Sequence, residues 1–241
     1  MGRFESTAPW YAQYRPRYSP ELIERLVQAA GLDGGSRVLD LGAGPGHVAV
    51  AIASHVGEVV AVDVEPGMLA QIDAPNVRTV LGRAEDVDPA WGRFDLVTAG
   101  RSFHWFDADV MYERLPLVTD QLALLGDSIT QSGAASRVLA IATELLGEEA
   151  PKRPERRYRV LLSGSSFSDV VEIDVDVERV WTAESLIGLA YSTSLASPDR
   201  LGAKRAEFEQ RVRAAFDAPE YHDHVTVSAV LGRRGDQRLE P

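Results

Sequence analysis

The chain has 241 residues and a formal net charge of -11 at pH 7, an acidic balance that disfavours nucleic acid as a partner because phosphates would be repelled. It has no cysteine, which excludes disulfides, thiol catalysis and cysteine-ligated zinc. With 45% hydrophobic residues and no apolar run resembling a signal peptide or a membrane span, the sequence predicts a cytosolic globular protein that binds no membrane.

Short apolar strands alternate along the chain with segments of helical spacing, which is typical of a parallel α/β sheet. The first clear helix is predicted at 20–30, with Ser19 as its N-cap and Gly31 just past its end. Further elements before Ser128 are predicted as strands at 37–41, 58–62, 77–81, 94–99 and 121–126 and a helix at 47–55. After Ser128 we predict four helices: one at 134–146, one that follows the basic connector and ends at 162, one at 182–195 and one at 201–216. Two further strands are predicted at 170–181 and 221–233.

Three alternating glycines follow the first predicted strand directly. Gly42, Gly44 and Gly46 lack Cβ where the backbone must turn sharply and a ligand must approach closely. The helix after them offers unpaired N–H groups. Asp63 ends the next strand, about 20 residues further on, where a ribose-binding carboxylate is expected. The pattern therefore predicts a nucleotide-shaped cofactor.

Two cofactor classes fit such a loop. A dinucleotide fingerprint has Gly or Ala at the sixth position of Gly-x-Gly-x-x-Gly, whereas this chain has His47. Asp40, just before the loop, would repel a pyrophosphate, and an acidic group suits the ammonium end of a methionine moiety better. A nicotinamide-dependent oxidoreductase stays open as the alternative.

Asp40, Gly42, Gly44 and Gly46 match the pattern acid-x-Gly-x-Gly-x-Gly, and here the chain resembles the class I S-adenosylmethionine-dependent methyltransferases. The resemblance implies S-adenosyl-L-methionine as cofactor and a single Rossmann-like α/β domain over 1–241. Its seven-stranded, mostly parallel sheet would carry helices on both faces. An N-terminal lid would span 1–30, the cofactor-binding half 31–128 and the C-terminal half 129–241, with cap helices at 182–216 between the last two strands.

The N-terminal pattern of Phe4, Tyr11, Tyr14, Arg15, Pro16 and Tyr18 resembles the lid of small-molecule methyltransferases related to trans-aconitate methyltransferase. In those relatives the matching Tyr and Arg close over the methionine carboxylate, so the resemblance assigns that role to Tyr11 and Arg15. A guanidinium suits it because it binds carboxylates in bidentate fashion. The alternative is an N-terminal helix whose aromatic side chains simply pack.

The resemblance also assigns the remaining parts of the cofactor. Asp63 would accept hydrogen bonds from both ribose hydroxyls, because a carboxylate offers acceptor sites on two oxygens. Val64 and Met68 would sandwich the adenine, although core packing explains Met68 equally well. Arg83 departs from the family, which often has Asp there to read the adenine edge. The full set of predicted cofactor-binding residues is Tyr11, Arg15, Asp40, Gly42, Ala43, Gly44, Asp63, Val64, Met68, Ala84, Glu85, Ala99 and Gly100.

The acceptor is expected at the end of the fourth predicted strand, in 99–107, because ligands of open α/β sheets bind at the carboxyl ends of strands. His104 is the candidate general base, and shaping the pocket together with Trp105 is its alternative role. Arg101 would suit a carboxylate acceptor, whereas Asp107 or Asp109 would suit an amine. The predicted substrate-binding residues are Tyr14, Tyr18, Arg101, His104 and Trp105.

Other polar clusters have simpler interpretations. His222 and His224 lie on one face of the last predicted strand but have no evident third ligand, so we predict no metal site. The basic residues at 152–159 are interpreted as a solvated connector.

A protein that binds S-adenosylmethionine without transferring its methyl group stays a third possibility. We thus predict a methyltransferase acting on oxygen or nitrogen of a small molecule, such as an amino sugar or another secondary metabolite.

Overall fold

The computed structural model describes residues 7–129, 133–148 and 157–235. Phe4 and most of the basic run, including Lys152, Arg153 and Arg156, lie outside these ranges. The chain forms two compact units. We call residues 18–126, 154–175 and 227–241 the sheet unit, and residues 1–17, 127–153 and 176–226 the helical unit. That the chain acts as one methyltransferase domain stays a prediction.

A seven-stranded sheet has the order β3-β2-β1-β4-β5-β7-β6. The strands are β1 (Arg37–Leu41), β2 (Glu58–Asp63), β3 (Val77–Leu81), β4 (Leu96–Gly100), β5 (Gln121–Asp127), β6 (Asp169–Trp181) and β7 (Tyr221–Arg233). Four neighbouring pairs, from β3 across to β5, are parallel. The chain first builds outward from β1 to β3 and then returns to place β4 on the other side of β1. This reversal creates a switch point at the carboxyl ends of β1 and β4.

Ten α-helices are found in the described ranges. They are α1 (Ala8–Tyr14), α2 (Pro20–Ala30), α3 (Ala49–Ala53), α4 (Pro66–Leu69), α5 (Ala108–Val118), α6 (Gly133–Leu146), α7 (Arg157–Ser163), α8 (Ala183–Tyr191), α9 (Pro198–Leu201) and α10 (Arg205–Ala215). The caps of α2 are as predicted, since the Ser19 hydroxyl accepts a hydrogen bond from Leu22 N at 3.2 Å and Gly31 has φ 68°.

The two units have separate apolar cores. In the sheet unit the central strands are buried on both faces, as expected where parallel strands are covered by helices, and Val38 and Leu39 are both 0% exposed. α5 and α7 pack onto this core through Met111, Leu115 and Leu162. In the helical unit α6, α8 and α10 enclose a second core around Tyr191 and Phe208.

Several predicted boundaries are corrected by the structure. The helix predicted at 47–55 is α3, which covers only 49–53, because the glycine loop continues up to its first turn. The helix predicted at 201–216 is interrupted, because a 3-10 turn begins at Gly202, whose φ is 50°. α5 was not predicted at all, since its apolar periodicity is weak and Pro116 lies in its last turn. No helix in the described part of the chain is long and apolar enough to cross a membrane.

Candidate functional site

The glycine loop lies at the switch point of the sheet unit and adopts left-handed conformations at each alternating glycine. Gly42, Gly44 and Gly46 have φ values of 63°, 55° and 84°. A Cβ on Gly42 would come within 2.6 Å of Ser102 Cβ, and one on Gly46 within 2.9 Å of Ile72 Cγ1. At Gly44 the same addition would meet no atom within 4 Å. Two glycines thus permit close packing, and the middle one borders open space.

Asp63, at the end of β2, holds the loop through its side chain. One carboxylate oxygen accepts a hydrogen bond from Gly44 N at 2.8 Å, and the other accepts one from Glu65 N at 2.9 Å. The neighbouring Ala43 N donates to Val62 O at 3.0 Å, which ties the loop to β2 a second time. An ionised carboxylate has about four acceptor sites, so each oxygen of Asp63 keeps acceptor capacity for a ligand.

Asp40 is a different kind of carboxyl group, only 1% exposed. Its Oδ1 accepts a hydrogen bond from the Thr98 hydroxyl at 2.8 Å, and its Oδ2 accepts one from Ala49 N at 3.1 Å. Burial raises the pKa of Asp40 to about 7, against the effect of these hydrogen bonds. Its oxygens therefore connect β1 to β4 and to the start of α3. A contact between Asp40 and the ammonium group of the cofactor stays a prediction.

The residues predicted to surround the adenine differ in exposure. Val64 is 55% exposed, and Leu81, at the end of the adjacent β3, is 63% exposed. Met68 and Ala84 are buried, in agreement with core packing of both side chains. The exposed apolar pair lies at the carboxyl ends of β2 and β3, where an aromatic ligand ring would find apolar surface.

Glu85 connects the segment after β3 to the start of α5. Its Oε1 accepts a hydrogen bond from Asp107 N at 3.0 Å, and Arg83 Nε approaches its Oε2 at 3.4 Å. Burial alone would raise its pKa, but these hydrogen bonds hold the pKa below its ordinary value. The Arg that departs from the family pattern thus pairs with the Glu beside it.

The segment after β4 begins with a strained residue. Arg101 has φ 57°, the one positive value at a non-glycine residue in the described ranges. Its guanidinium carbon lies 4.5 Å from the ring centroid of Tyr18, which is buried. Gly100 is equally constrained, because a Cβ there would come within 2.7 Å of Val48 Cγ2 and 3.2 Å of the Tyr18 hydroxyl. The structure therefore brings four predicted residues together at the carboxyl end of β4, namely Ala99, Gly100, Arg101 and Tyr18.

His104 and Trp105 lie in a 3-10 helix, Phe103–Trp105, and both are exposed. Their ring centroids are 4.8 Å apart. Phe103, buried in the core, anchors this turn, whereas Asp107 caps α5 by accepting a hydrogen bond from Val110 N at 3.3 Å. The turn thus presents an imidazole and an indole to solvent at the carboxyl end of β4.

Ser102 is a site residue that the sequence analysis missed. Its hydroxyl donates a hydrogen bond to Leu41 O at 2.8 Å, and its Cβ faces Gly42. Ser102 therefore holds the segment after β4 against the glycine loop. The sequence carries no signal for this role, since a serine in a loop is ordinary.

Of the predicted lid residues, Tyr11, Tyr14 and Arg15 belong to the helical unit, whereas Tyr18 belongs to the sheet unit. The Arg15 guanidinium carbon lies 5.6 Å from the ring centroid of Tyr11. Tyr14 packs on Gly188 and stacks on Trp10 at 5.8 Å between ring centroids, so its ring serves the packing of α1.

Over residues 7–129, 133–148 and 157–235 no group of three His, Asp or Glu side chains is placed to hold a metal ion. His222 Nδ1 lies 2.8 Å from Glu178 Oε1 across the two last strands.

Comparison with known proteins identifies the family. A family model described as a methyltransferase domain matches residues 38–121. Rv3342 of Mycobacterium tuberculosis and Mb3374 of Mycobacterium bovis, both named as uncharacterized methyltransferases, are each 38% identical over 222 residues, or 89% of this chain and 87% of theirs.

Solved structures agree in fold. A candidate type II methyltransferase from Anaeromyxobacter dehalogenans has 24% identity and a TM-score of 0.61, covering 91% of this chain and 98% of its own. Phosphoethanolamine N-methyltransferase 2 of Haemonchus contortus has 14% identity and a TM-score of 0.55, covering 97% of this chain and 58% of its own. With a mycobacterial relative this similar along most of its length, the chain belongs to the class I S-adenosylmethionine-dependent methyltransferases.

Proposed function

We propose that this chain transfers the methyl group of S-adenosyl-L-methionine to a nitrogen or oxygen of a small-molecule acceptor. The observation that supports the proposal most is Asp63, whose two oxygens each take one backbone hydrogen bond and keep acceptor capacity beside the open space at Gly44. A ribose offers two neighbouring hydroxyl donors, which is the complement of such a carboxylate.

The residues of the sheet unit fit the rest of the cofactor. The exposed Val64 and Leu81 would contact the adenine, and the backbone at Gly44 would border the methionine moiety. When bound, S-adenosylmethionine supplies a methyl group activated on a sulfonium. The Haemonchus contortus enzyme of the same fold was solved with S-adenosylhomocysteine, the product of such a transfer.

Methyl transfer is an in-line displacement, so the protein mainly orients the two reactants and accepts a proton where the acceptor requires it. His104 is exposed at the carboxyl end of β4 and would accept that proton from a hydroxyl or an ammonium acceptor. Trp105 beside it would cover the acceptor, and Arg101 and Tyr18 would line the same strand end. Arg101 favours an acceptor with an anionic group, whereas Asp109 would serve a cationic one.

Two measurements test the function. Isothermal titration calorimetry should give a micromolar Kd for S-adenosylhomocysteine and no binding of NAD. Incubation with S-adenosylmethionine and panels of amines, hydroxyl compounds and carboxylates should yield one acceptor class that gains the mass of one methyl group. Tight binding of NAD without S-adenosylhomocysteine would instead support an oxidoreductase. Cofactor binding without transfer to any class would support a sensor of S-adenosylmethionine.

Three further points stay proposals from the sequence: a role in secondary metabolism, a cytosolic location, and the absence of nucleic-acid and membrane partners.

A further inference from the structure

We propose that the acceptor is a phenol, that is, a hydroxyl group carried on an aromatic ring, and that Tyr158 of α7 binds its ring. The inference rests on the proposed function and narrows it from nitrogen or oxygen to one kind of oxygen. Every residue that carries the inference belongs to the sheet unit, in which Tyr158 lies against the carboxyl end of β5.

Tyr158 lies at the strand end next to the predicted acceptor site. A Cβ on Gly126, near the end of β5, would come within 3.2 Å of Tyr158 Cε2, so the tyrosine ring covers this glycine directly. The neighbouring strand is β4, and the segment after it is joined to β5 by a hydrogen bond from Arg101 N to Leu125 O at 2.9 Å. Because Gly126 follows Leu125, the ring of Tyr158 lies one strand away from the segment after β4.

The helix that carries Tyr158 is connected to the 3-10 turn after β4. Tyr112 of α5 donates a hydrogen bond from its hydroxyl to Leu161 O at 3.1 Å. The ring of Tyr112 also lies 5.9 Å from the ring of Phe103 in that turn, measured between centroids. Leu162, the next residue of α7, is fully buried in the core of the sheet unit. α7 is thus fixed, and its half-buried Tyr158 ring loses little freedom when a ligand packs on it.

Aromatic side chains also flank the end of β4. Trp105 is 42% exposed, and the half-buried Phe106 reaches the glycine loop, where its Cζ would lie 3.1 Å from a Cβ on Gly42. Rings at two neighbouring strand ends offer flat apolar surfaces to a flat ligand. Aromatic pairs gain energy from stacked or edge-to-face contacts, which a saturated ring cannot make in the same way. This arrangement favours an aromatic acceptor over an aliphatic one.

The charge at the same strand ends favours an acidic hydroxyl. Arg101, whose backbone is bonded to β5, carries a positive charge that disfavours a protonated amine and stabilises a developing anion. The pKa of a phenol such as the tyrosine side chain is about 10, far below that of water at about 16. The proton of the phenol would go to the His104 imidazole, the oxygen–methyl bond would form, and the electron pair of the broken sulfur–methyl bond would stay on sulfur.

The test is a methylation assay on the full chain with S-adenosylmethionine and ring-matched acceptors. A panel of substituted phenols is compared with the cyclohexanols of the same substitution, which carry the hydroxyl on a saturated ring, and with anilines and benzoates. A phenol should gain the mass of one methyl group, and its cyclohexanol counterpart should react at least about tenfold more slowly, because it lacks both the aromatic contacts and the acidity.

Variants then test the role of Tyr158 with that phenol. Tyr158→Leu keeps apolar bulk on Gly126 but removes the aromatic plane, so the KM for the phenol should rise about three- to tenfold, as for one lost aromatic pair. Tyr158→Phe keeps the ring and should retain the KM. Val160→Ala changes a 72% exposed residue of the same helix and is the matched control. The Kd for S-adenosylhomocysteine should stay that of the wild type in all three. Gly126→Ala, which crowds the ring, is the second route to a raised KM if Tyr158→Leu does not fold.

The possible failures are distinguishable. Equal rates with a phenol and its cyclohexanol counterpart, or transfer to anilines, benzoates or cyclohexanols alone, would overturn the phenol assignment while leaving the proposed function intact. An unchanged KM in both Tyr158→Leu and Gly126→Ala would remove Tyr158 from the acceptor site. Failure of the wild type to bind S-adenosylhomocysteine, or binding without transfer to any acceptor class, would overturn the proposed function itself.

Discussion

The glycine loop and the segment after β4 lie at neighbouring strand ends of the sheet unit, yet they are held differently. The loop is fixed by Gly44 N, which donates to the Asp63 carboxylate, and the start of α3 is fixed by Ala49 N, which donates to the Asp40 carboxylate. The segment after β4 depends on a strained residue, Arg101, on a cation–π contact with Tyr18 and on a 3-10 turn. The first arrangement would suit any ligand with the same ribose and amino acid ends, whereas the second consists of side chains that differ in charge and shape. We therefore expect cofactor recognition to reside in the loop and acceptor choice after β4.

The largest expected effect is on the cofactor side. Asp63→Ala removes the acceptors for the ribose and the anchor of Gly44, so affinity for S-adenosylhomocysteine should fall by about 100-fold or more, equivalent to two charged hydrogen bonds. Asp63→Asn keeps one acceptor oxygen and should be intermediate. Calorimetry measures both. An Asp63→Ala variant that binds as tightly as the wild type would show that the loop region does not hold the ribose.

On the acceptor side, His104→Gln should lower kcat by roughly 100-fold or more if the imidazole accepts a proton during transfer. The Kd for S-adenosylhomocysteine should not change, because His104 lies outside the glycine loop. Steady-state kinetics with a saturating acceptor provide the measurement, and Trp105→Phe is the control for the shape of the turn. Unchanged turnover would remove His104 from the chemistry and leave it a pocket-shaping role.

Two glycines of the loop offer a matched comparison of stability. Gly42→Ala combines a left-handed backbone with overlap against Ser102, so it should lower the unfolding free energy by about 2 to 5 kcal/mol. Gly44→Ala has the same backbone cost without overlap and should lose about 1 to 2 kcal/mol. Urea unfolding distinguishes the two. Equal losses would mean that Gly42 is required only for its conformation.

Asp40 should make the unfolding free energy of the protein depend on pH. Its pKa in the folded protein, about 7, exceeds its ordinary value of 3.8, so the folded state binds more protons than the unfolded chain between these values. Its contribution to stability therefore falls as pH rises through this interval. The stability difference between wild type and Asp40→Asn, measured by urea unfolding near pH 5 and near pH 8, should favour the wild type more at the lower pH. A difference that grows with pH would show that Asp40 is stabilised as a carboxylate instead.

The smallest expected change in stability concerns Arg101. Arg101→Gly relieves a left-handed conformation but loses the contact with Tyr18, so the unfolding free energy should change by less than about 1 kcal/mol. The KM for an anionic acceptor should nevertheless rise, with the Kd for S-adenosylhomocysteine unchanged. Arg101→Lys keeps the charge and serves as the control. A weakened cofactor together with an unchanged acceptor KM would reverse the roles of the two regions.

The sequence predicted local elements better than tertiary contacts, for physical reasons. The bounds of β1 and β3 and the caps of α2 are confirmed, because apolar runs and capping residues act locally. The family and the seven-stranded, mostly parallel sheet are confirmed as well. By contrast, the conformation of Arg101 depends on tertiary contacts that no local pattern encodes. The same holds for the hydrogen bond from Ser102 to Leu41 O and for the packing of Tyr14 on Gly188, where the partners are distant in sequence.

A crystal structure of the chain with S-adenosylhomocysteine would show whether Asp63 binds the ribose. We predict the ribose hydroxyls within hydrogen-bond distance of the Asp63 carboxylate, the methionine moiety of the ligand beside Gly44, and the hydrogen bond from Gly44 N to Asp63 preserved. A ligand bound elsewhere, with Asp63 contacting only the backbone of residues 44 and 65, would contradict it.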